Sequence, residues 1–184
     1  MISILYDTET TGLLKANANH VSQQPYIIEF AAVKFEDDGK YFEVLEEVEF
    51  LVKPPIQISD EITRITTITN GMLEDESPFI EYYGALCQFF VGTDNLIGHN
   101  LPFDRSMLAN ELIRIDKLIN FPWPYNHICT VESSYTIEGY RLSLDKLYKL
   151  ATKKEHVGAH RAMADVKACF EAYKWLRKNK QIVM

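Results

Sequence analysis

The chain is short of the residues that staple small secreted folds. Only three of its 184 residues are cysteine: Cys87, Cys129 and Cys169, widely spaced and with no Cys-x-x-Cys. That pattern gives neither a disulfide framework nor a zinc site, and a reducing, intracellular setting is the expectation. No run of about 18 apolar residues occurs, so no membrane-spanning helix is expected. The apolar start, residues 1–6, is too short for a signal peptide and lacks a basic flank. Internal repeats, low-complexity tracts and a domain linker are missing as well. The expectation is a single domain over 1–178 with a frayed tail over 179–184.

Basic residues are scarce in one part of the chain. Residues 1–140 hold 8 Lys and Arg against 22 Asp and Glu, whereas 141–180 hold 11 against 4. The net charge of −7 is unusual for a protein that grips nucleic acid. Its distribution matters more than its sum, because a cationic rim beside an acidic site would suit a polyanionic substrate. What is present in quantity is apolar: 47% hydrophobic and 12% aromatic residues, enough for one sizeable core.

Periodicity and turn residues divide the chain. Residues 2–6 form an apolar, β-leaning run that ends at Asp7, and 14–25 is a long polar loop. Strands are expected over 27–35 and 41–53, joined at Asp37-Asp38-Gly39, with a bulge near Leu45 and a stop at Pro54-Pro55. Residues 59–73 read as mixed helix and turn. Ser77 as cap and Pro78 as first residue open a helix that runs through Phe90. A short strand is expected over 95–98, a helix over 102–115, an extended connector over 121–124, and helices over 143–150 and 162–177. Strands early and helices late point to a mixed α/β or α+β domain.

Four acids in three distant segments carry the chemistry. Asp7 and Glu9 are two apart on a strand, so their carboxylates share one face near its end. Asp104 falls in the first turn of its helix, just after Gly98-His99-Asn100, and Asn100 is a candidate to fix a phosphate or a neighbouring carboxylate. His160 and Asp165 are five apart, which puts the histidine on the loop before the last helix and the acid one turn inside it. Asp165 there borders the Ala162–Val166–Cys169 stripe, a costly place unless it is paired or bound to metal. Dispersed carboxylates that converge are the donor set of hard divalent cations.

These segments resemble a known family. Asp7-Thr8-Glu9-Thr10-Thr11-Gly12-Leu13 is similar to the first motif of the DnaQ-like 3′–5′ exonucleases, and Gly98-His99-Asn100 with Phe103-Asp104 to their second. His160-x-Ala162-x-x-Asp165 resembles the third motif in its histidine-bearing form, the DEDDh group. Ile28 to Val33 is similar to the family's second strand, and the resemblance spans about residues 2–176. Two departures stand out. The 14–25 loop is longer than in the simplest members, and Thr66-Thr67-Ile68-Thr69 stands where many have His-Gly-Ile-Thr.

The resemblance implies an RNase H-like fold, a central mixed sheet flanked by helices. It implies Asp7, Glu9, Asp104 and Asp165 as ligands of two Mg²⁺ or Mn²⁺ ions that clamp an in-line attack at phosphorus, and His160 as general base. Thr8, Thr10, Gly12, Leu13, His99, Asn100, Phe103 and Arg161 would surround the substrate, with Lys167 a further phosphate contact. Leu13 would act as an apolar wedge and Phe103 either as a stacking ring or as plain core. The expected activity is release of nucleoside monophosphates from the 3′ end of DNA, single-stranded ends preferred, as in polymerase-proofreading members. The alternatives are an RNA exonuclease, or an accessory subunit working through a polymerase or other nucleic-acid machine. The final Gln181-Ile182-Val183-Met184 has a faint likeness to a sliding-clamp peptide.

Overall fold

The computed structural model describes residues 1–182. Five strands form one mixed sheet in the order β3-β2-β1-β4-β5. The central β1 (Ile2–Thr10) runs antiparallel to β2 (Ile27–Asp37), which pairs antiparallel with the edge strand β3 (Phe42–Leu51). On the other side β4 (Asn95–Gly98) and β5 (Asn126–Cys129) run parallel to β1. The helices are α1 (Asp60–Thr66), α2 (Asn70–Leu73), α3 (Phe79–Phe90), α4 (Leu101–Arg114), α5 (Thr130–Glu138), α6 (Leu144–Thr152) and α7 (Ala162–Lys178).

Alternation along the inner strands builds two half-cores. Ile4, Tyr6, Phe30 and Ala32 face α3 and α4, where Phe90, Met107, Leu108 and Leu112 meet them. Leu5, Ala31, Val33 and Phe35 face α6 and α7, against Leu147, Val166, Cys169, Tyr173 and Leu176. The stripe expected on the last helix is therefore its buried face. The side of β1 that carries Leu5 also carries Asp7 and Glu9, so the acids continue an apolar row beneath α7.

Several expected boundaries move. β1 does not stop at Asp7 but pairs with β2 through Thr10, so both acids lie inside a hydrogen-bonded strand. The bulge near Leu45 is present: Lys34 pairs with Glu46 and Phe35 with Val44, leaving Leu45 extra. Pro78, not Ser77, is the cap of α3, because its backbone is still extended (ψ 157°). The four-residue β5 and the Thr- and Ser-rich α5 fill the stretch after the 121–124 connector. Asn-His-Ile-Cys is too short to show alternation, and in α5 only Glu132 and Glu138 are strong helix formers. Its one legible signal is Gly139 at φ 75°, a left-handed stop.

The described part of the tail is exposed over residues 179–181 and turns back at its end. Ile182 is buried against the α7 half-core and its carbonyl accepts from Arg177 Nη1. It is thus not displayed as a docking peptide, and residues 183–184 of that expected motif lie outside the described residues. Thr67, at the departure from His-Gly-Ile-Thr, holds φ 63° as the cap of α1. The chain keeps the left-handed turn that a glycine there would give, with a β-branched residue that resists it.

Candidate metal centre

The three acid-bearing segments meet at one end of the sheet. Asp7 and Glu9 come from β1, Asp104 from the first turn of α4 and Asp165 from the first turn of α7. Ligand atoms of Glu9, His160 and Asp165 all lie within 4.8 Å of one another. Asp7 sits in the midst of the other acids. Burial pushes its carboxyl well above the usual carboxylate range, and the charges of Asp104, Asp165 and Glu9 push the same way. Burial first, then Asp165, Glu29 and Asp104, raise Glu9 to about 8. Asp104 is raised by burial to about 7 even though Thr8 favours its ionised form.

Each acid is aimed by a specific partner. Thr8 points to the opposite side of β1 from Asp7 and Glu9. Its N–H (3.1 Å) and Oγ1 (2.7 Å) both donate to Asp104 Oδ1. Two donors on one oxygen fix the orientation of that carboxylate. The backbone N–H of His160 donates to Asp165 Oδ2 at 3.1 Å. It can do so because His160 takes φ 66°, a left-handed conformation that turns its amide toward the helix it precedes. The His160 ring itself is exposed beside the acids.

Other expected site residues have different work. Thr8 is committed to Asp104 rather than to substrate. Thr10 is buried, and its Oγ1 donates to the Gly12 carbonyl at 2.8 Å, closing the turn that presents Leu13. Leu13 is 80% exposed and borders a cavity of about 530 Å³ walled by Gly12, Lys15, Gln24 and Tyr26. His99 lies within 2.9 Å of Thr130 Oγ1, which ties it to the start of α5, and burial lowers its pKa to about 4. Asn100 is exposed at φ 68° and does not hold Asp104, a task that falls to Thr8. Phe103 is half-buried against the α4 core, in keeping with the plain-core reading.

Arg161 also departs from expectation. Its guanidinium grips Glu29 through Nε at 3.0 Å and Nη2 at 2.6 Å, and Glu29 further accepts the Ala162 N–H at 2.8 Å. Glu29 is fully buried on β2, in register with Glu9. The pair therefore pins the start of α7, with His160 and Asp165, to the sheet. A lone acid inside Ile27-Ile28-Glu29-Phe30-Ala31 was the signal for it, since an apolar strand admits a carboxylate only with a partner. Glu29→Ala is expected to cost about 3 kcal/mol in urea denaturation, the low end for a broken buried pair because Arg161 can turn to water. The cationic stretch is partly used in the same way: Arg177 pairs with Asp37, Lys167 with Glu47, Lys174 with Glu171 and Lys149 with Glu155.

Carboxyls held above their ordinary values favour the folded state only when protonated. Their contribution is whole below the ordinary carboxylate pKa of about 4 and falls away as pH rises from there, the loss complete above about 7 for Asp104 and about 8 for Glu9. His99 works the other way, but only as pH falls from its ordinary 6.5 toward 4. Between pH 6.5 and 8.5 the acids decide, and metal-free protein should melt higher at pH 6.5. Saturating Mn²⁺ should reverse the slope, because protons then compete with the ion. Thermal melts with EDTA or Mn²⁺ read both signs; parallel slopes would refute a metal-binding cluster.

The donors are hard carboxylate oxygens with one imidazole beside them, and several of the carboxyls resist ionisation without a counter-charge. That set fits Mg²⁺ or Mn²⁺ and not a thiolate-seeking metal. The exonuclease family model (RNase_T) matches residues 4–173. The chain is 28% identical over 181 residues to the DNA polymerase III PolC-type of Clostridium perfringens, covering 96% of this chain and 11% of that protein. It therefore spans about a tenth of that relative's length. The DNA polymerase III subunit epsilon of Treponema pallidum is 29% identical over 172 residues, 91% of this chain and 73% of that one. Exonuclease X, solved in complex with 5′ overhanging duplex DNA, matches with TM-score 0.67 at 22% identity, over 98% of this chain and 94% of that chain. At such identity the likeness is one of fold, and the mixed sheet with its flanking helices is the RNase H-like exonuclease architecture. With a family match that runs from the first buried strand into the last helix, the chain belongs to the exonuclease family.

Proposed function

We propose that the chain is a metal-dependent 3′–5′ exonuclease that releases nucleoside 5′-monophosphates from single-stranded 3′ ends of DNA. The observation that carries this reading is the convergence of Asp7, Glu9, Asp104 and Asp165, with an exposed histidine among them. Two divalent cations, Mg²⁺ or Mn²⁺, held by those four carboxylates would supply charge neutralisation at the scissile phosphate. Without them the cluster repels a phosphodiester; with them that repulsion would be cancelled.

The chain's own groups then have separable tasks. Thr8 and the His160 N–H hold two carboxylates in fixed orientation, which keeps the reorganisation cost out of the reaction. The His160 ring takes the proton from the attacking water, as histidine can near neutral pH. Leu13, bare at the mouth of its cavity, wedges against the terminal base, and the Thr10-braced turn keeps it there. The relatives named as polymerase III chains favour work beside a polymerase, which would supply the grip that a net charge of −7 does not.

A single assay tests the reading. 5′-end-labelled single- and double-stranded DNA and RNA are incubated with Mg²⁺, Mn²⁺ or EDTA. A ladder shortening from the 3′ end, on DNA, single strands first and silent in EDTA, is expected. Degradation from the 5′ end, or undiminished in EDTA, would overturn it; equal or faster loss of RNA would move the substrate to RNA.

A further inference from the structure

A second histidine lies against the acids, and neither the motifs nor the proposed chemistry uses it. His156 sits in the turn between α6 and α7, between two exposed neighbours, Glu155 and Val157. Its own side chain is only 4% exposed. Nδ1 lies 2.8 Å from Asp145 Oδ1 in the first turn of α6, and Nε2 lies 3.2 Å from Asp165 Oδ1. Tyr148, one turn further along α6, packs on the ring with centroids 5.7 Å apart. A loop histidine with no task would turn its polar ring to water. This one is withdrawn from water and threaded between two carboxylates.

Asp165 is thereby approached from two directions. Its Oδ2 accepts the His160 N–H, and its Oδ1 faces His156. The second contact is close but off-axis: His156 Nε2 and Asp165 Oδ1 are both buried without an aligned hydrogen-bond partner. Buried polar atoms in that state are costly, so the arrangement calls for a reason. At 3.2 Å a small adjustment of either side chain would align the pair, and the carboxylate concerned is one proposed to hold a cation. Partners behind a ligand of this kind fix its orientation and tune its affinity.

We infer that His156 is a positioning residue for Asp165: it sets the rotation of that carboxylate and, through Asp145, ties the first turn of α7 to α6. The inference rests on the proposed role of Asp165 as a metal ligand. It is distinct from a plain structural tether, which would need only the Asp145 contact.

The two side-chain amides separate these cases. Asparagine places its amide near Nδ1 and can keep the Asp145 contact alone. Glutamine reaches the place of Nε2 and can donate to Asp165. Mn²⁺ binding to the whole chain is followed by electron paramagnetic resonance for wild type, H156A, H156N, H156Q and D165N, with a thermal melt of each. H156A and H156N are expected to weaken Mn²⁺ binding about 10–100-fold and H156Q to restore most of it. Hydrolysis by H156A should recover as Mn²⁺ is raised. H156N binding like wild type, or H156Q no better than H156A at a similar melting temperature, overturns the positioning role alone. Equal Mn²⁺ binding by wild type and D165N would remove Asp165 as a ligand, and this inference with it.

Discussion

Asp7→Asn should lower exonuclease turnover by at least about 10³-fold while raising the melting temperature of the metal-free protein. The two effects have one cause. Asp7 lies on the central strand, desolvated and facing Asp104, Asp165 and Glu9, all of its own sign. The amide has the shape of the carboxylate and none of its charge, so burial and mutual repulsion are both relieved. The same change removes the central ligand of the proposed cation pair, whose charge stabilisation is worth several kcal/mol, and each 1.36 kcal/mol is tenfold in rate. Function held at the expense of stability is the usual sign of a working site. End-labelled DNA turnover and a melt in EDTA measure the two. Retained activity would dismiss Asp7 as a ligand, and a fall in both would mean that the variant had lost its fold.

The parts of this molecule legible in sequence are those in which polarity alone dictates place. An apolar run ending in Asp-x-Glu had to be a buried strand with two acids on one face, and β1 is that strand. The stripe through Ala162, Val166, Cys169, Tyr173 and Leu176 had to be covered, and it is. What the residues did not disclose is direction. Thr8, between Asp7 and Glu9, is expected from the resemblance among the substrate contacts, yet strand alternation sends it to the other side, onto Asp104. Arg161 beside His160 looked like a phosphate contact, but its cross-sheet partner Glu29 is 132 residues away and visible only in three dimensions. His156 is hidden in the sequence for the same reason: its neighbours in sequence are exposed, while its two carboxylates come from different helices. β5 and α5 were hidden differently. Their sequences are weak for strand and helix, and their order comes from packing against β4 and α7.

His160→Ala should lower turnover by about 10²–10⁴-fold, the span of a lost general base, and leave Mn²⁺ affinity unchanged. The geometry divides this residue in two. Its backbone N–H orients Asp165, and alanine keeps that N–H; its ring stands free in solvent beside Glu9 and Asp165, and alanine removes it. The ring is also close enough to the carboxylates to be a ligand, so the metal titration is the discriminating half: affinity that falls together with rate would make His160 a ligand and not a base. His160→Gly adds a second axis. At φ 66° any L side chain is strained, and glycine relieves it by roughly 1 kcal/mol. The glycine variant should therefore melt above the alanine variant and be equally slow. Should turnover follow the melting temperature instead, returning with glycine, the imidazole would have no part in proton transfer and the left-handed backbone alone would be what this position contributes.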